Sequence, residues 1–257
     1  MDDKELKKKL SEARKNREYG QFPEALAILH QISNEFPNNA QYRYLLAATY
    51  YESWNTDAAL KHAGEALSID ANHKQTYELL GDIYAKQNDT EKAIANYERA
   101  YQLDSQYLFV EEKLIKIYFK AENYEGVIHI CDNLMSHVPI DKSTAKSRAL
   151  TSVYLSTLLH KSYGFVYLKK YEEAIAGLLH RRKMNIELGL PTYAGQYKDD
   201  DESIFKMYYK LGNTEEINQY RELLKREYKI SDEEIKILEE DAKGDIIINR
   251  QKYNIPW

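Results

Sequence analysis

The chain has 257 residues, 43% apolar and 30% charged, with a formal net charge of −5. That length and balance suit one extended array or two small folded domains and give no sign of disorder. The excess of acids argues against a general nucleic-acid binder, because phosphate binding draws on surplus Lys and Arg.

Ten glycines and five prolines are few, which favours long helices and short turns over a many-stranded sheet. Twenty-three tyrosines fit a thin helical array, since each ring packs inward while its hydroxyl stays wet. The opening MDDKELKKKLSEARKN holds no apolar core of signal-peptide length, and no run approaches the ~18 apolar residues of a membrane span. A cytoplasmic location is the expectation. The lone cysteine, Cys131, excludes an internal disulfide.

In chain order, Leu6 to Asn39 reads as two helices with Gly20 and Phe22 at their turn, Ala25 at a crossing and Pro37 as a stop. Lys9, Glu12 and Asn16 leave the outer side of its first helix polar, as in a terminal cap. Ala40 to His73 repeats the pattern with Leu46, Ala47, Tyr50, Ala59, Ala63 and Ala66, but Trp54-Asn55 stands where a tight-turn glycine is usual. Lys74 to Tyr107 is the clearest unit. Its Gly81, Ala93 and Ala100 lack bulk where helices cross at about 8–10 Å, and Tyr77, Leu80, Tyr84 and Tyr97 fill the space left. The triplet Asn88-Asp89-Thr90 fits a glycosylation acceptor but reads as the polar turn of this unit.

On those seven positions the stretch resembles one tetratricopeptide repeat (TPR), and its neighbours fit the same 34-residue frame. Leu108 to Asp141 gives a fourth repeat, with Leu114, Tyr118, Val127, Leu134 and Pro139 in phase. Beyond it the frame slips. Ser143 to Lys170 and then Tyr171 to about Leu188 read as an elongated fifth hairpin, ended by Gly189-Leu190-Pro191. Thr192 to Glu202 reads as a polar loop, with Asp199 to Glu202 a solvated acidic loop or helix start. A sixth, degenerate hairpin follows from Ser203, and Ser231 to Glu234 forms a capping box for a last acidic helix to about Ala242. The tail after Gly244 reads as extended, and its apolar residues need cover.

The predicted fold is therefore all-α: a right-handed α-solenoid of about six TPR or TPR-like hairpins plus a C-terminal helix and an extended tail. Its parts are four repeats over 1–141 (6–39, 40–73, 74–107, 108–141), TPR-like hairpins over 142–230, and the acidic helix with its tail over 231–257. No phosphate-cradling glycine loop, paired zinc histidines or nucleophile elbow is present, so neither an enzyme nor a cofactor is expected. His129, Cys131 and His137 read as surface histidines around a buried thiol, with no metal.

The resemblance implies a non-catalytic adaptor that binds a peptide or protein surface in a groove lined by first helices. The family's frame points Lys7, Leu10, Arg14 and Arg17 into it from the first repeat, and Gln41, Tyr44, Ala48 and Tyr51 from the second. Gln75, Glu78, Asp82 and Ala85 follow from the third, and Phe109, Glu112, Lys116 and Phe119 from the fourth. Such a groove is basic at one end and aromatic further in. The family's clamp for a chain-terminal carboxylate is absent, because Leu10, Arg14, Leu45, Gln75 and Leu79 stand at its places. Two alternatives remain from the residues. The tail docks on its own array or on a neighbouring copy, helped by seven acids against two lysines over 231–245, or the region 142–257 senses a small ligand or catalyses.

Overall fold

The computed structural model describes residues 1–141, 143–190 and 197–246. These form thirteen α-helices with no strand among them, an all-α solenoid of helical hairpins. The hairpins are α1 (Asp3–Glu18) with α2 (Phe22–Glu35), α3 (Ala40–Glu52) with α4 (Thr56–Ile69), and α5 (Lys74–Lys86) with α6 (Thr90–Leu103). Then come α7 (Leu108–Lys120) and α8 (Tyr124–His137), α9 (Ala145–Tyr167) and α10 (Tyr171–Glu187), and α11 (Lys198–Leu211) and α12 (Thr214–Tyr228), followed by α13 (Asp232–Lys243). The chain divides into two compact units, Met1–Ile117 and the part from Tyr118 onward.

The turns carry the repeat. Gly20, Trp54, Asn88 and Glu122 all take left-handed backbone, with φ of 72°, 67°, 60° and 57°, so one such residue recurs every 34 positions. The next residue but one opens the following helix in each case. Trp54 thus adopts the conformation a glycine would, although left-handed backbone costs a non-glycine residue roughly 1–2 kcal/mol. Its ring lies in solvent with the Lys86 ammonium 3.2 Å from the ring centre, a cation–π contact that offsets part of that strain. The next left-handed turn, Lys169, comes 47 residues after Glu122. The slip of frame has a plain cause: α9 runs for 23 residues where α3, α5 and α7 run for 13.

Small residues let unit 1 pack. Ala25, Ala59 and Ala93, again at 34-residue intervals, are fully buried, as are Ala66 and Ala100. Within the unit α2 packs on α3 and α4 on α5, which joins one hairpin to the next, while α3 also touches α5. Gly81 has the tightest need: a Cβ there would lie 2.4 Å from ring carbons of Tyr97. That ring is buried and its hydroxyl is tied to Asp82, so it has little freedom to move aside. Gly81→Ala should lower stability by about 1–2 kcal/mol, an overpacking cost partly offset by alanine's better helix propensity. Urea unfolding of the variant checks this, and an unchanged midpoint would mean that the ring yields freely.

In unit 2, α9 packs against α8 and α10, and α11 against α10, α12 and α13. Val127, at the place corresponding to Ala93, and Cys131 are both fully buried on α8, while His129 on the same helix is exposed. Ser231 and Glu234 form the expected capping box at the head of α13. The tail from Ile247 and the segment from Pro191 to Gln196 lie outside the described residues.

Of the two readings of Asp199 to Glu202, the helix start holds, since they open α11; the solvated loop does not, because Asp200 and Asp201 are buried, at 2% and 1% exposure. Acids are favoured there by the helix dipole, and two consecutive arginines of α10 meet them. Arg181 Nη1 donates to Asp200 Oδ2 at 3.1 Å and Arg182 Nη2 donates to Asp201 Oδ1. The hydroxyls of Tyr163 and Tyr228 donate to Asp200 at 3.2 Å and to Asp201 at 2.5 Å.

Burial outweighs these partners at Asp200 and raises its pKa above the ordinary carboxylate value; Arg181 and Tyr163 pull the other way. A raised folded pKa favours the fold most below the ordinary carboxylate range, and that contribution is lost as the pH rises through the folded value. Asp200→Asn holds the neutral form at every pH and should flatten this part of the pH dependence of unit 2. Thermal unfolding of the full chain across the acid range, with the wild type alongside, reads the difference; identical profiles would show that Asp200 does not carry it.

Candidate functional site

On unit 1, side chains from successive first helices meet one another. Arg17 of α1 donates from Nε to Glu52 Oε2 of α3 at 3.0 Å, and its Nη2 reaches the second oxygen. From α3, Gln41 Oε1 lies 3.1 Å from Nε2 of His73, the residue that precedes α5, and the Tyr51 hydroxyl donates to the Asp82 carbonyl at 3.4 Å. From α7, Lys113 Nζ donates to Glu78 Oε1 at 2.6 Å and to Asp82 Oδ2 at 2.7 Å. One ladder of polar contacts thus runs from α1 through α3 and α5 to α7.

The centre of this face is a cluster in which two carboxylates converge on one ammonium. Tyr97 of α6 donates to Asp82 Oδ1 at 2.7 Å, and Tyr107 donates to Glu78. Burial, reinforced by these carboxylates, raises the pKa of both hydroxyls far enough to keep them as donors at any ordinary pH. Burial alone would lower Lys113, but Asp82 and Glu78 more than compensate and hold it charged. Beside the cluster, Lys74 pairs with Asp104 while its ammonium sits 4.7 Å above the Tyr107 ring, and Lys86 sits 5.0 Å above that of Tyr51.

Most of the residues predicted to face a groove fall into three groups. Arg17, Gln41, Tyr51, Glu78 and Asp82 are members of the ladder. Lys7, Arg14, Phe109 and Lys116 are exposed, Gln75, Glu112, Leu10 and Ala85 are half-buried, and Tyr44 is half-buried with its ring 5.4 Å from that of His73. Tyr44 and Tyr51 also pack on the core around Ala47, Ala48, Leu79 and Ile83, which takes Ala48 itself out of reach. Phe119 is a correction: it belongs to unit 2 and is fully buried, its ring centre within 5.9 to 6.4 Å of those of His160, Tyr124 and Tyr167.

The expected basic end is corrected too. Arg17 is matched by Glu52, and Arg14 Nε donates to Glu18 Oε1 at 3.0 Å along the same helix. Lys113, Tyr97, Tyr107, His73 and Glu52 went unpredicted. For Lys113, His73 and Glu52 the signal was present, because they stand 31 to 35 residues from their partners, close to one repeat.

Fold and face together define a helical-repeat scaffold of the kind used for protein interaction. Residues 16–83 match a family model described as tetratricopeptide repeat, and residues 75–107 match a second with the same description. Residues 16–107 are thus tetratricopeptide repeats. No curated protein matches it by sequence. Among solved structures, a Naa15/Naa10 complex bound to HypK-THB is similar with a TM-score of 0.68 at 17% identity, covering 91% of this chain and 33% of that one. A Podosopora anserina putative kinesin light chain with nearly identical TPR-like repeats gives 0.55 at 15% identity, covering 73% and 98%. MamA gives 0.53 at 16% identity, covering 69% and 96%. At such identities the likeness is one of fold. No helix among the described residues is long and apolar enough to cross a membrane.

Proposed function

We propose that this protein is a non-catalytic adaptor that binds a peptide or protein surface along the first-helix face of unit 1. The observation that supports it is the ladder from Arg17 to Lys113, which holds polar and aromatic side chains in fixed positions across four helices while leaving Arg14, Gln41, Phe109 and Lys116 open to solvent. Interfaces favour such a mix, in which arginine and aromatic anchors stand already ordered. The same reading takes residues 108–141 as a fourth repeat, in line with the turn at Glu122.

To test the face, Gln41→Glu, Phe109→Asp and Lys116→Glu are combined in one variant and Lys61→Glu with Gln102→Glu in another. All five side chains are exposed, and the second pair sits on the second helices α4 and α6. Capture from native lysate should be lost by the first variant and kept by the second. The reverse pattern would place binding elsewhere.

A further inference from the structure

Away from the ladder, where α2 meets α3 and α4, two imidazoles, a guanidinium, a phenol and a carboxylate come together. His30 of α2 places Nε2 2.8 Å from the Tyr50 hydroxyl of α3, and its ring centre lies 5.7 Å from that of His62 of α4. Tyr50 in turn stacks on His62, with ring planes 5° apart and centres 5.3 Å apart. The carboxylate is Glu65 of α4, whose Oε2 lies 2.9 Å from His62 Nδ1 and 3.2 Å from Arg43 Nη1 of α3. Tyr50 is the joint between the first two hairpins, since it packs both on the core of Ala13, Leu29 and Leu46 and on that of Ala47, Ala59 and Ala63.

This cluster suits a neutral His30. The charges that reach it are His62 and Glu65 of α4 and Arg43 of α3; α1, which also packs on α2, contributes none of these. Glu65 already meets Arg43 and His62 through the same oxygen, so a proton on His30 adds a cation that faces both of them with that acid engaged. The Tyr50 hydroxyl accepts as readily as it donates, which keeps the hydrogen bond but supplies no counter-charge. Burial, then His62 and Arg43, hold the pKa of His30 below the ordinary 6.5 against a weaker pull from Glu65. A lowered folded pKa leaves the fold unpenalised above the ordinary value, and stability is lost as the pH falls from there through the folded one.

We propose that the junction of α2, α3 and α4 is a pH-sensitive latch: with His30 neutral it holds the first hairpin on the second, and a proton on His30 weakens that hold. The first hairpin packs on the second through α2 and α3 and has no hairpin on its other side among the described residues, so it opens at a lower cost than those with two neighbours. Because α1 carries Arg17, its release also parts the Arg17–Glu52 rung of the ladder. The latch stands whether or not that face binds a partner.

The test uses the full chain. Nuclear magnetic resonance of carbon-labelled histidine, with His30 assigned as the signal that His30→Gln removes, should give a titration midpoint below 6.5. Arg43→Gln takes away one of the opposing cations and should move that midpoint up. Amide exchange at about pH 7.5 and about pH 5.5, with labelling times scaled to equal intrinsic rates, reads the latch itself. Protection of α1 and α2 should fall a few-fold at the lower pH, under a ceiling of about tenfold that one histidine of ordinary unfolded pKa sets there. His30→Gln reaches Tyr50 without titrating and should remove the difference. Burial also lowers the pKa of His73, beside the start of α5, so the comparison turns on α1 and α2 and on the His30 variant.

A His30 midpoint at or above 6.5, a midpoint that Arg43→Gln leaves in place, equal protection of α1 and α2 at the two pH values, or a loss that persists undiminished in His30→Gln would each overturn the proposal. A loss in α1 and α2 no greater than in α6 would belong to the whole of unit 1 rather than to this junction and overturn it as well. Should His30→Gln fail to fold at neutral pH, the Arg43→Gln titration and the wild-type exchange decide.

Discussion

Phe119→Ala is expected to lower the stability of unit 2 by about 3–5 kcal/mol, as for other fully buried phenylalanines cut back to alanine. The ring has no exposed surface and meets Tyr124 and Tyr167, which themselves stack with centroids 4.6 Å apart, and His160 of α9. Removing it opens a void among side chains from three helices, and the long α9 has little freedom to collapse into that space. Urea unfolding followed by circular dichroism measures the loss. Partner capture below the unfolding transition should be unaffected, which separates a core role from a contact role. A variant of native stability that no longer binds would return Phe119 to the groove.

Arg182→Leu is expected to cost about 3–5 kcal/mol for a different reason. It strands the carboxylate of Asp201, 1% exposed, beside the neutral Tyr228 hydroxyl, and a buried charge without its counter-ion is strongly destabilising. The guanidinium also lies 4.7 Å from the centre of the Tyr197 ring, so packing is lost along with charge. Adding Asp201→Asn should recover most of the loss, because no charge is then left behind. The exposed pair Arg226–Glu227 supplies the contrast: Arg226→Leu should change stability by less than about 0.5 kcal/mol. A loss under about 1 kcal/mol for Arg182→Leu would show that water reaches Asp201.

The repeat fold was legible in the sequence because its causes are local. Ala25, Ala59 and Ala93 recur at one spacing and are all buried at helix crossings, and the turn residues keep the same spacing whether they are Gly20, Trp54, Asn88 or Glu122. Trp54 was opaque, since nothing local tells that a tryptophan will take a left-handed turn; the helices on either side impose it. At Asp199 to Glu202 the helix start was legible but the burial of Asp200 and Asp201 was not, because a run of four acids is usually solvated and the arginines that meet the two stand 19 residues earlier. The face was half legible. Helical phase placed Glu78 and Asp82 on it, but phase alone says nothing of what a side chain meets, so Lys113 and Tyr97 went unassigned and Phe119 was put on the wrong surface.

The most direct test of a groove on the first helices is amide hydrogen exchange on the full chain, free and with its captured partner. Slowed exchange should appear in α1, α3, α5 and the start of α7, most strongly near Gln41 and Glu78, with α2, α4 and α6 unchanged. Protection confined to α2, α4 and α6, or to helices after Tyr118, would contradict it.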